Sequence, residues 1–234
     1  MIKKKAITIE IIGESGTGKT DIISRIPGVT LLDLTPSIES DVIFLKYNDE
    51  KYFDTHYFSC QSFREILDAI RDMPEDTKTL AVDGSQYITD FAEVQWIKDQ
   101  KKPREAAMQR EYGQLYSMVR DKIIYPLIKR PCNVVFTSVM KDEWIDEKKT
   151  GRRMRAGFNP FDVARDIGLY LYIEENQRKN KIAKNRFMSP IILKDGIQIE
   201  NPAYVKSLSP EASWKTLIDM ITAEGSAFKK EWLI

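Results

Sequence analysis

The chain has 234 residues, 42% hydrophobic and 30% charged, with a formal net charge of +1. That is enough chain for one large α/β domain with its own core, without disulfide or metal staples. The near-neutral balance excludes a globally basic nucleic-acid binder, so any such surface must come from local clustering, and no apolar run approaches the length of a membrane span.

Lys3, Lys4 and Lys5 precede an apolar run, but that run ends in a glycine-rich loop. It therefore reads as a core strand over 6–12 and not as a signal peptide. The loop is Gly13-Glu14-Ser15-Gly16-Thr17-Gly18-Lys19-Thr20, or G-x-x-x-x-G-K-T, and a helix over 18–26 follows. Strand, loop and helix in this order are the setting of a phosphate-binding loop. The glycines let backbone N–H groups approach a polyphosphate. Lys19 can reach the β- and γ-phosphates, and the Thr20 hydroxyl can sit on Mg2+. Pro27-Gly28 stops the helix, and 29–34 is a second apolar strand. Residues 42–45 and 52–59 read as further strands about an Asn48-Asp49 turn. Phe63, Ile66, Leu67 and Ile70 recur at helical spacing, and 73–76 is a turn.

Residues 79–83 form an apolar strand ending on Asp83, an acid that can hold Mg2+ through a water opposite Thr20. A helix over 86–100 is interrupted by Lys101-Lys102-Pro103, and a second runs from about 104 to 127 with a kink near Pro126. Residues 133–140 are another buried strand. Its end, Phe136-Thr137-Ser138, either reaches a γ-phosphate or simply leaves the core. Residues 141–160 read as a loop or hairpin carrying the densest basic cluster, Lys148-Lys149-Thr150-Gly151-Arg152-Arg153-Met154-Arg155, with Trp144 and Phe158 nearby. Such a cluster suits the phosphates and bases of a single strand as well as it suits a plain solvated loop.

Strands over 168–173 and 181–187 are joined by a polar turn over 174–180. Lys184 and Arg186, two apart, point to one side. They can neutralise a neighbouring subunit's γ-phosphate, or merely charge an edge strand. A hairpin over 191–199 turns at Asp195-Gly196, and Ser209-Pro210-Glu211 opens a last helix over 211–223, with Ser209 as its cap. Cys60 and Cys132 lack metal-ligand spacing and read as buried free thiols of a cytoplasmic protein, in the host cell if the protein is viral. His56 reads as a strand or surface residue and not a ligand. Strands alternating with helices imply an α/β fold, a mostly parallel twisted sheet with helices on both faces, and a ligand at the carboxyl ends of the strands.

The order of these motifs resembles the RecA-like ATPases over roughly residues 5–190. That group includes RecA, RadA, KaiC and the DnaB-type helicases. The pattern is similar above all to small phage and viral nucleotide-binding proteins with a minimal RecA core, some of which are single-strand annealing recombinases. The resemblance implies an ATPase domain over 1–208, a C-terminal helix and tail over 209–234, and ATP with Mg2+ as cofactors. It implies a homo-oligomer with ATP at subunit interfaces, where Lys19, Asp83 and a neighbour's Lys184 and Arg186 are catalytic. The loop after Thr137-Ser138 stands where recombinases carry a DNA-binding loop, which points to single-stranded DNA on Lys141, Arg152, Arg153 and Arg155. One departure is that Thr35 stands about where these enzymes place a catalytic glutamate. Asp33 and Glu39 are the substitutes at hand; without one, slow hydrolysis and use of ATP as a binding switch are expected. A viral DNA-packaging motor and a small-molecule kinase, with 152–155 as its lid, are the alternatives.

Overall fold

The computed structural model describes residues 6–35, 38–100, 109–145, 148–155, 161, 164–194, 196–209, 213–223 and 226–228. Lys3, Lys4 and Lys5, the Lys101-Lys102-Pro103 interruption, Phe158, Asp195 and Pro210-Glu211 lie outside the described residues. The chain runs β1 (Thr8–Gly13), α1 (Lys19–Ser24), β2 (Val29–Asp33), α2 (Ile38–Tyr47), α3 (Glu50–His56), β3 (Tyr57–Ser59), α4 (Phe63–Asp72), β4 (Thr79–Asp83) and α5 (Tyr87–Asp99). A 3-10 turn then leads into α6 (Tyr112–Val119), a π-helical segment (Arg120–Ile124) and α7 (Tyr125–Lys129). The remainder is mostly strand: β5 (Asn133–Ile145), β6 (Lys148–Arg155), β7 (Ile167–Glu174), β8 (Gln177–Asn185), β9 (Ile191–Lys194), β10 (Ile197–Glu200) and β11 (Val205–Ser207), closed by α8 (Ser213–Ile221).

The main sheet has the order β11-β8-β7-β1-β5-β4-β2-β3. From β7 to β3 every pairing is parallel, while β8 and β11 add on antiparallel. Alternate residues of a strand face opposite sides, and here both sides are buried. Ile9, Ile11, Leu31, Ala81, Val135 and Leu169 pack under Ile22 and Ile23 of α1, Phe44 of α2 and Leu217 and Ile221 of α8. Leu32, Leu80, Val82, Val134 and Phe136 pack under Phe63 and Ile66 of α4, Ile88 of α5, Leu115 of α6 and Leu127 of α7. The expected α/β architecture is thus present: a mostly parallel sheet with helices on both faces.

Several local expectations are corrected. Residues 42–45 and 52–56 are helical, and only 57–59 form a strand. Of the first run, Phe44 alone is fully buried, while Val42 and Leu45 are 60% and 40% exposed, so one face of a helix and not a buried strand satisfies it. Asp49 then caps α3, its carboxylate accepting from the Tyr52 amide at 2.7 Å. The turn expected over 174–180 shrinks to Glu175 and Asn176, whose φ of 50° and 59° suit a two-residue hairpin with primed geometry. Residues 141–145 and 148–155 pair as the two arms of a hairpin, β6 antiparallel with the far half of β5. Near Pro126, where the sequence suggests a kink, a π-helical segment over Arg120–Ile124 leads into α7, with the proline in its first turn, where an N–H is not needed. Cys60 and Cys132 are buried and free. His56 ends α3 with its ring stacked on Tyr52 at 3.8 Å. Ser209 precedes α8, its carbonyl accepting from the Ser213 hydroxyl at 2.8 Å. No helix among the described residues is long and apolar enough to cross a membrane.

Candidate functional site

Parallel strands end together at one edge of a sheet, and here β1, β2 and β4 deliver Gly13, Asp33 and Asp83 to that edge. The glycine-rich loop folds over the end of β1 and hands into α1 at Lys19. Gly18 has φ +84°, the left-handed region that glycine enters freely. The Lys19 ammonium lies inside the loop, donating to the carbonyls of Gly13 at 3.0 Å and Glu14 at 2.6 Å. Thr17 closes the same turn, its hydroxyl donating to the Glu14 carbonyl at 2.8 Å. Burial holds the Lys19 ammonium below the ordinary lysine range, against the opposing pull of Asp83 and Glu14. A polyanion beside it would favour the charged form and oppose that lowering.

Thr20, one residue on, donates its hydroxyl to Asp83 Oδ2 at 2.5 Å. The other carboxylate oxygen of Asp83 accepts from Thr137 at 2.5 Å, and the Thr137 hydroxyl in turn accepts from the Gly84 amide at 2.8 Å. Thr137 is thereby a support for Asp83. Ser138, on the opposite face of β5, donates to Glu10 at 2.7 Å. Gly84 has φ +77°, and a Cβ there would meet the Thr35 methyl at 2.8 Å, so the turn after Asp83 and the turn after β2 are built against each other. Among the described residues no group of three or more acidic, histidine or cysteine side chains is placed to hold a metal. The two oxygens of Thr20 and Asp83 are the donor set that fits Mg2+, a hard cation that fills its other positions with water and phosphate.

Asp33 stands in register with Asp83 on the neighbouring strand and is 1% exposed. Burial raises its carboxyl above the ordinary range; hydrogen bonds from Thr35 and Tyr57 oppose the rise, and nearby Asp83 adds to it. Three donors engage it: the Thr35 amide at 2.9 Å, the Thr35 hydroxyl at 2.6 Å and the Tyr57 hydroxyl at 2.8 Å. Glu39 is exposed in the first turn of α2.

The basic hairpin rises past this edge, since Gly13 is level with Val139 and β5 continues to Ile145. Lys141 and Arg152 are exposed on it, and Arg153 lies opposite Asp142. Lys149 pairs with Asp142 at 2.8 Å. Arg155 differs from the rest. It reaches back from the hairpin root to Glu10 Oε1 at 2.9 Å, and Arg165 pairs with the other oxygen of the same carboxylate. Glu10 is fully buried in β1. An acid inside a central parallel strand is a sequence signal for a buried ion pair, but only the fold identifies its partners.

Lys184 is near the end of β8 and Arg186 just beyond it, so strand alternation does not relate them, but both turn to the 165–166 segment. Lys184 donates to the Arg165 carbonyl at 3.0 Å, and Arg186 pairs with Asp166 at 2.7 Å. Antiparallel pairing puts them at the amino end of β7, away from their own phosphate loop. The other end of β8 brings up Arg178, which sequence reasoning left inside a polar turn. Its guanidinium lies against Gly18, where an added Cβ would meet Cζ at 2.5 Å. It also donates to Asp21 at 3.4 Å. Among the described residues, cavities of about 530 Å³ open at two places. One, lined by Pro27, Tyr52, Thr77 and Trp214, lies at the amino ends of β2 and β4, remote from this chemistry. The other adjoins Gly16 and Arg178.

A family model described as an AAA domain matches residues 5–187, most of the chain. Comparison with curated proteins finds no match.

Proposed function

The chain belongs to the AAA-domain family of P-loop NTPases, which are nucleotide-binding ATPases, and we propose that it is a Mg2+-dependent ATPase acting on single-stranded DNA in phage-type recombination or replication. In this reading residues 1–208 are the ATPase domain and 209–234 a C-terminal helix and tail. The observation that carries the nucleotide half is the convergence of Lys19, Thr20 and Asp83 at one strand edge. Lys19 binds the β- and γ-phosphates, and the amides of residues 13–20 orient them. Thr20 and Asp83 hold Mg2+, which when bound offsets phosphate charge. Thr137 keeps the Asp83 carboxylate facing Thr20. Asp33 is the acid nearest Asp83 along the edge, and its three donors support slow hydrolysis and use of ATP as a binding switch.

The DNA half rests on the hairpin, whose exposed Lys141 and Arg152 stand beyond the sheet edge, close to the nucleotide site. Arg153 belongs to the same basic strand, and Arg155 anchors its root. Lys184 near the end of β8 and Arg186 just past it lie at the amino end of β7, away from their own phosphate loop, which supports a role toward a neighbour's γ-phosphate in a homo-oligomer. The test is phosphate release by the full chain with and without single-stranded oligonucleotide, alongside solution mass with ATP. Turnover stimulated by DNA, shown by a multimer and lost in Lys19→Ala, is expected. Turnover indifferent to DNA, or transfer of phosphate to a small acceptor, would overturn the DNA role.

A further inference from the structure

The cavity of about 530 Å³ at the amino ends of β2 and β4 has no part in the phosphate chemistry. Its volume falls in the range of small-molecule sites. It opens where the end of α1, α3, the segment before β4 and α8 come together. Ile26 and Ile218, 3% and 5% exposed, give it an apolar lining. Two aromatic surfaces join them. Trp214 of α8 is one. Tyr52 and His56 of α3, stacked at 3.8 Å with their rings 4° apart, are the other. Gly28 leaves room beside them, since a Cβ there would meet nothing within 4 Å.

The polar groups of the lining divide into two sets. The Tyr52 hydroxyl donates to the Val29 carbonyl at 2.9 Å, and the Thr77 hydroxyl lies 3.0 Å from that of Thr30. Both are engaged within the protein, so the interior favours a ligand body with few polar atoms. Lys78, Lys215 and Asp76 are exposed and line the same cavity. Two lysines against one aspartate leave a single positive charge among these described residues. Aromatic walls with a singly positive mouth are complementary to a flat aromatic ring that carries one negative charge.

Two connections run from this cavity to the phosphate loop. α1 begins at Lys19, and the Ile26 amide, donating to the Ile23 carbonyl at 3.3 Å, continues its last turn. Lys19 and Ile26 stand about 10 Å apart along it. Ile22 and Ile23 between them are fully buried, so a displacement at one end reaches the other through close-packed groups. On the second wall Ser213 precedes Trp214 and accepts from Arg178 at 3.4 Å, and that guanidinium lies against Gly18. We propose that the cavity is a regulatory site for a small aromatic monoanion, its ring against Trp214 and the Tyr52–His56 pair and its charge at Lys78 and Lys215, and that occupancy shifts nucleotide affinity through α1 and Arg178. The coupling rests on the phosphate-loop reading given above; the cavity site stands without it.

The experiment is fluorescence titration of the full chain with 8-anilinonaphthalene-1-sulfonate, an aromatic monoanion, and with N-phenyl-1-naphthylamine, which has the same rings and no charge. Saturable binding of one dye per chain is expected, with energy transfer from tryptophan that falls in Trp214→Phe. Lys78→Gln and Lys215→Gln alter exposed side chains; together they should weaken the anionic dye about tenfold and the neutral dye by less than about twofold. Saturating Mg2+–ATP should shift the dye's Kd about fivefold, and saturating dye should shift the Kd of ATP by the same factor. In Lys19→Ala that shift should vanish while the dye still binds. Anionic dye bound equally well by the double lysine variant, or transfer unchanged in Trp214→Phe, would overturn the cavity site. Dye and ATP that both bind yet leave each other's Kd unmoved would overturn the coupling. If the unaltered chain binds no ATP, the phosphate-loop reading falls and the coupling with it, while the dye titrations decide the cavity site on their own.

Discussion

Glu10→Gln tests how the basic hairpin is joined to the core. The Glu10 side chain is fully buried, and it accepts from Arg155 at 2.9 Å, from Ser138 at 2.7 Å and from Arg165. Glutamine keeps the shape and removes the charge, so two guanidinium groups each lose a carboxylate partner. Breaking a buried ion pair costs about 3–5 kcal/mol. Arg155 and Arg165 retain 21% and 22% side-chain exposure, so water recovers part of that, and about 3 kcal/mol is the expected loss. For a chain of this size that is roughly a 6–12 °C fall in the thermal midpoint, or about 1 M in urea at a slope near 3 kcal/mol/M. Urea unfolding followed by far-ultraviolet circular dichroism measures it. The pairing itself is isolated by a cycle with Arg155→Gln, in which the double variant should lose at least about 1 kcal/mol less than the sum of the singles. A loss below about 1 kcal/mol for Glu10→Gln, or strict additivity in the cycle, would refute a buried pair holding the hairpin root.

Two further outcomes follow from buried groups. Burial pushes the Cys60 thiol up to about 12, nearby acids adding to the rise, and burial raises Cys132 as well; neither should react with iodoacetamide at about pH 8 until urea unfolds the chain, and rapid native labelling would contradict the packing. The Asp33 carboxyl is raised above its ordinary 3.8, chiefly by burial, so the folded chain holds that proton more tightly than the unfolded one. Its stabilising share is complete below the unfolded value and is lost as pH rises through the folded one. The stability of the unaltered chain relative to Asp33→Asn should therefore decline as pH rises above the ordinary carboxylate range, and a difference flat in pH would count against the buried carboxylate.

Much of the architecture was legible in order along the chain. Gly13 to Thr20 needed no tertiary information, because glycine spacing and a following Lys-Thr act through local backbone geometry. The apolar strands 29–33, 79–83 and 133–140 were equally plain, since strands buried on both faces are continuous hydrophobic runs. Residues 42–45 and 52–56 misled because segments this short carry no clear period, and the choice of helix was made by Phe44 finding a core position and by Asp49 capping α3.

Sequence by itself determined that a polyphosphate loop leads a parallel α/β sheet and that Asp83 ends a buried strand. Whether Asp83 meets Thr20 was decided only when β4 and β1 were set one strand apart, with Thr137 of the strand between them bonding the carboxylate. The same holds for Arg155, which belongs to a basic run in the sequence and to a buried carboxylate 145 residues away in the fold. It holds for Arg178, one polar residue among many until the β7–β8 hairpin lays it on Gly18. Local motifs are written in neighbouring residues because their physics is short-ranged along the chain; ion pairs and cavity walls depend on distance in space, which strand order alone sets.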